Sequence, residues 1–84
     1  MYDYFFTFRS VTAAMGGSRT LERAGVPNVT VRTPKDLRQK GCGYSLRVRE
    51  EMLTEARQAL QAAGMQYQKL YRREGSGAWQ EVFA

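Results

Sequence analysis

Eighty-four residues, 43% of them hydrophobic and with no apolar run near the ~20 needed to span a bilayer, describe one small domain with a modest core. The absence of histidine removes the commonest general base and the commonest metal ligand, and a lone cysteine can form neither an internal disulfide nor a convincing zinc site. The formal charge is +5, and all of it resides between Arg32 and Arg49, where Arg32, Lys35, Arg38, Lys40, Arg47 and Arg49 face one acid, Asp36.

Tyr2 to Phe8 (YDYFFTF) is aromatic and β-prone, and its composition predicts a strand buried on both faces. The opening MYDYFFTFRS has no basic leader and no small-residue cleavage site, so no signal peptide is expected. A free thiol suits a reducing compartment, and a cytoplasmic location with no membrane association is the expectation. Ser10 is a candidate N-cap for a helix over Val11–Ala24 with Val11, Ala14, Ser18 and Leu21 on one side. Gly16 and Gly17 within it cost about 1 kcal/mol each relative to alanine, so they either admit close packing on a sheet or let the helix fray. Gly25 reads as the residue after the helix end, with Pro27 blocking continuation.

Val29–Arg32 is a short β-branched run, ended by Thr33-Pro34 and followed by a polar loop, KDLRQKGCG. Tyr44–Val48 alternates, with Tyr44, Leu46 and Val48 on one face and Ser45 and Arg47 on a solvated one. Glu50–Ala63 is the clearest helix, with a stripe of Leu53, Ala56, Leu60 and Ala63, acids at its positive end, and Gly64 as terminator. Met65–Arg73 reads as a fourth strand, and the tail 74–84 as a turn followed by a short extra strand or a loose end. The order strand, helix, strand, strand, helix, strand predicts an α+β ferredoxin-like βαββαβ sandwich: a four-stranded antiparallel sheet with both helices on one face, core about 2–73.

The residues Thr7-Phe8-x-Ser10, Leu21-x-x-Ala24-Gly25, Pro34-Lys35-x-Leu37 and above all Cys42-Gly43-x-x-Leu46-Arg47 resemble the small bacterial Se/S carrier protein-like family over roughly residues 3–73. The resemblance implies that Cys42 carries the chalcogen and that Pro34, Gly43 and Arg47 shape the loop around it. It further implies a donor protein such as a cysteine desulfurase and an acceptor enzyme, with no cofactor and no metal. Two departures stand out: MGGS at residues 15–18, where the family usually has a charged helix, and Gln39-Lys40-Gly41, where it often has serines.

Carrier chemistry needs an accessible thiolate whose pKa is lowered by positive charge. Gly41 and Gly43 strip bulk from around Cys42 and are expected to allow positive φ angles, while Lys35, Arg38, Lys40 and Arg47 are expected to supply the field. With no second thiol to resolve the cargo as a disulfide, a non-enzymatic carrier fits better than a dithiol oxidoreductase. The competing reading makes Cys42 a small buried hydrophobe, its glycines plain turn residues, Pro34 a strand terminator and Arg47 a solvated cation. A different class is an RNA-binding module using Tyr44, Tyr67, Tyr71 and the Arg32–Arg49 cations, although the aromatic signature of RRM strands is missing. A ligand-sensing regulatory module, for which Gly16-Gly17 and Pro27-Asn28 are thin support, ranks third. Such sheets often pair at an edge, so a homodimer is a further expectation.

Overall fold

The computed structural model describes residues 1–38 and 43–83. Its elements are β1 (Tyr2–Thr7), α1 (Val11–Arg23), β2 (Val29–Arg32), β3 (Tyr44–Arg49), α2 (Leu53–Ala62), β4 (Leu70–Glu74) and β5 (Gln80–Val82). Single 3-10 turns occupy Lys35–Leu37 and Glu50–Met52. The strands form one antiparallel sheet in the order β2-β3-β1-β4-β5. The class is α+β, but the sheet has five strands rather than the four expected.

The aromatic strand β1 takes the centre of the sheet, paired with β3 on one side and β4 on the other. Its even residues Tyr4 and Phe6, continued by Phe8, meet Leu46, Val48 and Leu70 from neighbouring strands and Ala14, Leu21, Ala56 and Leu60 from the helices. Both helices therefore bury their apolar stripes against the same sheet face. Each fully buried large side chain here stabilises the fold by roughly 1.5–3 kcal/mol. Phe6 gains a further contact from the Tyr67 ring, edge-on at 4.8 Å between centroids.

The helix ends follow the local chemistry of the chain. Ser10 has extended backbone angles and its hydroxyl accepts from the Ala13 amide at 3.0 Å. Gly25 and Gly64 sit at φ +76° and +69°, where a side chain is strained, and the amides of Val26 and Met65 reach back to the Leu21 and Leu60 carbonyls. The expected face of α1 is turned by part of a helical step: Ala14, Gly17 and Leu21 are buried, whereas Val11 is 45% exposed. The cause is Gly17. A methyl group there would lie 2.8 Å from Phe8 Cζ and 3.2 Å from Leu46 Cδ1, so the missing side chain lets the helix rest directly on the sheet.

Gly17→Ala is expected to lower stability by about 1 kcal/mol, because an overpacking cost of about 1–3 kcal/mol exceeds the roughly 1 kcal/mol gained in helix propensity. At Gly16 the added methyl would meet only the flexible end of Met65, at 3.2 Å. Gly16→Ala is therefore expected to be neutral or stabilising by up to about 1 kcal/mol. Urea unfolding of the two variants measures the contrast.

Two boundaries differ from expectation by three residues or more. The second helix begins at Leu53 because Glu50–Met52 forms a 3-10 turn, and the Glu50 carboxylate accepts the Tyr2 amide at 2.7 Å instead of serving the helix end. Strand β4 begins at Leu70 rather than Met65. The preceding Met65 and Tyr67 are drawn onto the helix-side core, while Gln68 and Lys69 are tied to the end of β1 through Thr7. The Thr7 hydroxyl accepts the Lys69 amide at 3.0 Å and donates to the Lys69 carbonyl at 3.3 Å.

The other sheet face carries no helix, yet Phe5 there is only 1% exposed. Its cover is Trp79, whose ring stacks on Phe5 with centroids 3.7 Å apart and lies 5.9 Å from Tyr71. Gly75 turns the chain at φ +58°, and β5 then pairs with Leu70–Arg72. The tail is a structural strand with an aromatic lid. Among the described residues, no helix is long and apolar enough to cross a membrane.

Candidate functional site

Strands β2 and β3 form a hairpin whose ladder continues one step beyond Arg32: the Thr33 amide donates to the Gly43 carbonyl at 2.8 Å. The chain between these residues is the loop that contains the cysteine. Cys42, Gly41 and Lys40 lie outside the described residues. The base of the loop is described in full.

Pro34 leads out of Thr33 with φ −53° and ψ 141°, directing the chain into the 3-10 turn Lys35–Leu37. The turn is closed by the Leu37 amide on the Pro34 carbonyl at 2.9 Å. Lys35 is exposed on it. Arg38, at the end of the turn, folds back so that its Nε donates to the Thr33 carbonyl at 2.9 Å. Under this clasp the Thr33 and Ser45 hydroxyls, 2% and 0% exposed as residues, share a hydrogen bond of 2.6 Å. Ser45 is thus interior, contrary to the solvated face expected for it: its hydroxyl finds a partner across the hairpin and needs no water.

Gly43 stands between two guanidinium groups. A methyl group placed on it would lie 3.5 Å from Arg38 Nε and 3.8 Å from Arg32 Cζ. Arg32 is steadied by Tyr44, donating to its hydroxyl at 3.3 Å with its Cζ 5.0 Å from the ring centroid. Positive φ, expected of the glycine flanks, is found among the described glycines only at Gly25, Gly64 and Gly75. At Gly43 a methyl group would make only ordinary contacts with these side chains, so the two cations lie beside the backbone next to the cysteine without requiring a glycine there.

Pro34, Arg38 and Gly43 are brought together at the loop base, with Lys35 on its rim. Arg47 is not with them. It lies four residues along β3, opposite Phe5 and Val29, roughly 13 Å from Gly43 at strand rise. Arg32 is the residue that composition alone did not single out. The signal for it was the hairpin register, which sets Arg32 opposite Tyr44.

The three tyrosines considered for RNA stacking do not share a surface. Tyr67 packs edge-on to Phe6 on the helix side, Tyr71 is 4% exposed beside Trp79 on the other face, and Tyr44 is covered by Arg32. Phe5, at the centre of the helix-free face, is occupied by Trp79.

No curated protein and no solved structure shows a significant match to this chain. Residues 3–72 match the family described as "Putative Se/S carrier protein-like", and the chain belongs to that family.

Proposed function

We propose that the protein accepts a sulfur or selenium atom on Cys42 from a persulfide-bearing donor in the cytoplasm, such as a cysteine desulfurase, and hands it to an acceptor enzyme. The Cys42 thiolate attacks the terminal chalcogen of a donor R–S–SH. The new bond forms from Cys42 Sγ to that atom, the donor S–S bond breaks, and its electron pair leaves on the donor thiolate. Cys42–S–SH results, with no external oxidant. Delivery is the same step with the acceptor as nucleophile.

The observation that carries this reading is the pair of guanidinium groups, Arg32 and Arg38, held against Gly43, one peptide bond from the only cysteine. Positive charge favours the thiolate and the anionic persulfide alike. Lys35 and Lys40 add to the field, while Pro34, Gly41 and Gly43 shape the loop. Arg47 is assigned to partner binding rather than to the thiol. The supporting frame is ferredoxin-like: the order β2-β3-β1-β4 with both helices on one face favours that plan, and β5 is an addition.

Incubation of the reduced protein with a cysteine desulfurase and cysteine is expected to add the mass of one sulfur atom. The gain is expected to vanish in Cys42→Ser. An intact mass unchanged in the wild type, under conditions where the desulfurase turns over, overturns the proposal.

A further inference from the structure

The geometry points to a docking edge for the carrier's protein partners: we propose that β2 accepts an extended, acidic segment of a partner as an additional antiparallel strand. The partner role rests on the carrier reading, but the binding edge itself rests on the hairpin.

Strand β2 is the terminal strand of the sheet, and among the described residues nothing pairs with its outer side. The ladder bond from the Thr33 amide to Gly43 fixes which groups face inward. Directly opposed antiparallel residues alternate between bonded and non-bonded pairs, so Val31–Ser45 and Val29–Arg47 are bonded pairs, as Thr33–Gly43 is. The amides and carbonyls of Thr30 and Arg32 therefore point outward, ready to bond an incoming strand.

The side chains around this edge select the occupant. Val29 is 47% exposed, an apolar contact on the helix-free face. Beside it lies a groove of about 350 Å³ lined by Asp3, Pro27, Asn28, Val29, Arg47 and Arg49. Asp3 is already approached by Arg73, at 4.0 Å, so the groove remains cationic. At the far end of β2, Arg32, Lys35 and Arg38 surround the start of the loop. In an added strand the side chains alternate between faces, so a segment that turns its acidic residues to the helix-free face matches this edge: their carboxylates meet Arg47 and Arg49, which share that face with Val29 and Val31, and their methylene stems cover the two valines. A second copy of the chain fits poorly, because edge-to-edge pairing would oppose two stretches that each carry a net +5. Strand β2 runs into the base of the cysteine loop at Thr33, so a partner seated here lies beside that base.

The test uses the 15N-labelled Cys42→Ser protein and a capped peptide of about eight residues alternating glutamate and valine. With Cys42 absent, the result is independent of whether the thiol carries a chalcogen. The peptide is expected to shift the Thr30 and Arg32 amide signals and slow their hydrogen exchange. An otherwise identical peptide N-methylated at alternate residues is expected to bind at least tenfold more weakly, as is the native peptide to Arg47→Glu/Arg49→Glu. Thr30→Pro removes an outward N–H without breaking an inward ladder bond, and is expected to abolish binding. Equal binding of the N-methylated peptide, or shifts confined to other strands, overturns the proposal. Concentration-dependent protection of Thr30 and Arg32 without peptide assigns the edge to a second copy instead. Tighter binding of single-stranded oligouridine at Arg47 and Arg49, with no protection of the edge amides, assigns the cations to nucleic acid and likewise overturns it.

Discussion

Replacing Trp79 by alanine is expected to lower the unfolding free energy by about 2–3 kcal/mol and the melting temperature by about 10–20 °C. The ring lies nearly parallel to Phe5, 18° between planes, and it is what keeps a large aromatic on the helix-free face out of water. Its loss uncovers Phe5 and Tyr71 together, and β5 loses its main anchor beyond three paired positions with β4. Truncating a fully buried tryptophan costs about 3–5 kcal/mol, and the partial exposure of Trp79 places it below that range. Trp79 is the only tryptophan, so the wild-type fluorescence is expected to be blue-shifted and to report its own unfolding. Denaturant titration of both proteins measures the difference. A change within the ±0.5 kcal/mol usual for surface sites would show the β4–β5 hairpin to be a loose appendage.

That dependence on the tail explains what the linear chain revealed and what it withheld. The helix ends were legible because capping is local: Ser10 needs only the amide three residues on, and Gly25 and Gly64 need only a positive φ. The central strand was legible because six consecutive residues with four aromatics have few other places to go. The fifth strand was legible only as one of two alternatives, a short extra strand or a loose end, since three residues after a glycine turn carry almost no periodic signal, and Trp79 becomes a lid only once Phe5 is in place beneath it. The same holds for Ser45, polar by composition but interior once Thr33 stands opposite. In the candidate site, the charge concentration around the cysteine was visible as a count. Its division was not: the hairpin register places Arg32, and the bond to the Thr33 carbonyl places Arg38, at the loop base, while Arg47 and Arg49 line a groove beside Val29. A count of cations cannot show that they lie in two separate places, whereas a ladder of opposed residues does.

The division yields the sharpest expectation for the chemistry. Arg32→Gln/Arg38→Gln is expected to slow alkylation of Cys42 by iodoacetamide about tenfold at pH 7, while Arg47→Gln is expected to change it by less than about twofold. The sign follows from the charged form: the thiolate is the reactive species, and removing cations disfavours it. The titration midpoint then rises and the thiolate fraction at fixed pH falls. A tenfold change corresponds to about 1.4 kcal/mol. Two unit charges 4 Å apart interact by about 1 kcal/mol in water and about 4 kcal/mol at an effective dielectric of 20, so two nearby guanidinium groups at a partly screened site suffice. Glutamine keeps much of the arginine's bulk and a donor for the Thr33 carbonyl, which limits collapse of the clasp. Because the interaction is electrostatic, the difference is expected to shrink in 1 M salt, where the screening length falls to about 3 Å. In the wild type, the pH profile of alkylation is expected to have a midpoint below the ~8.5 of an unperturbed thiol. Equal alkylation rates in wild type and double variant at low salt would show that the two arginines hold the loop base without acting on the sulfur, and the carrier reading would lose the observation on which it stands.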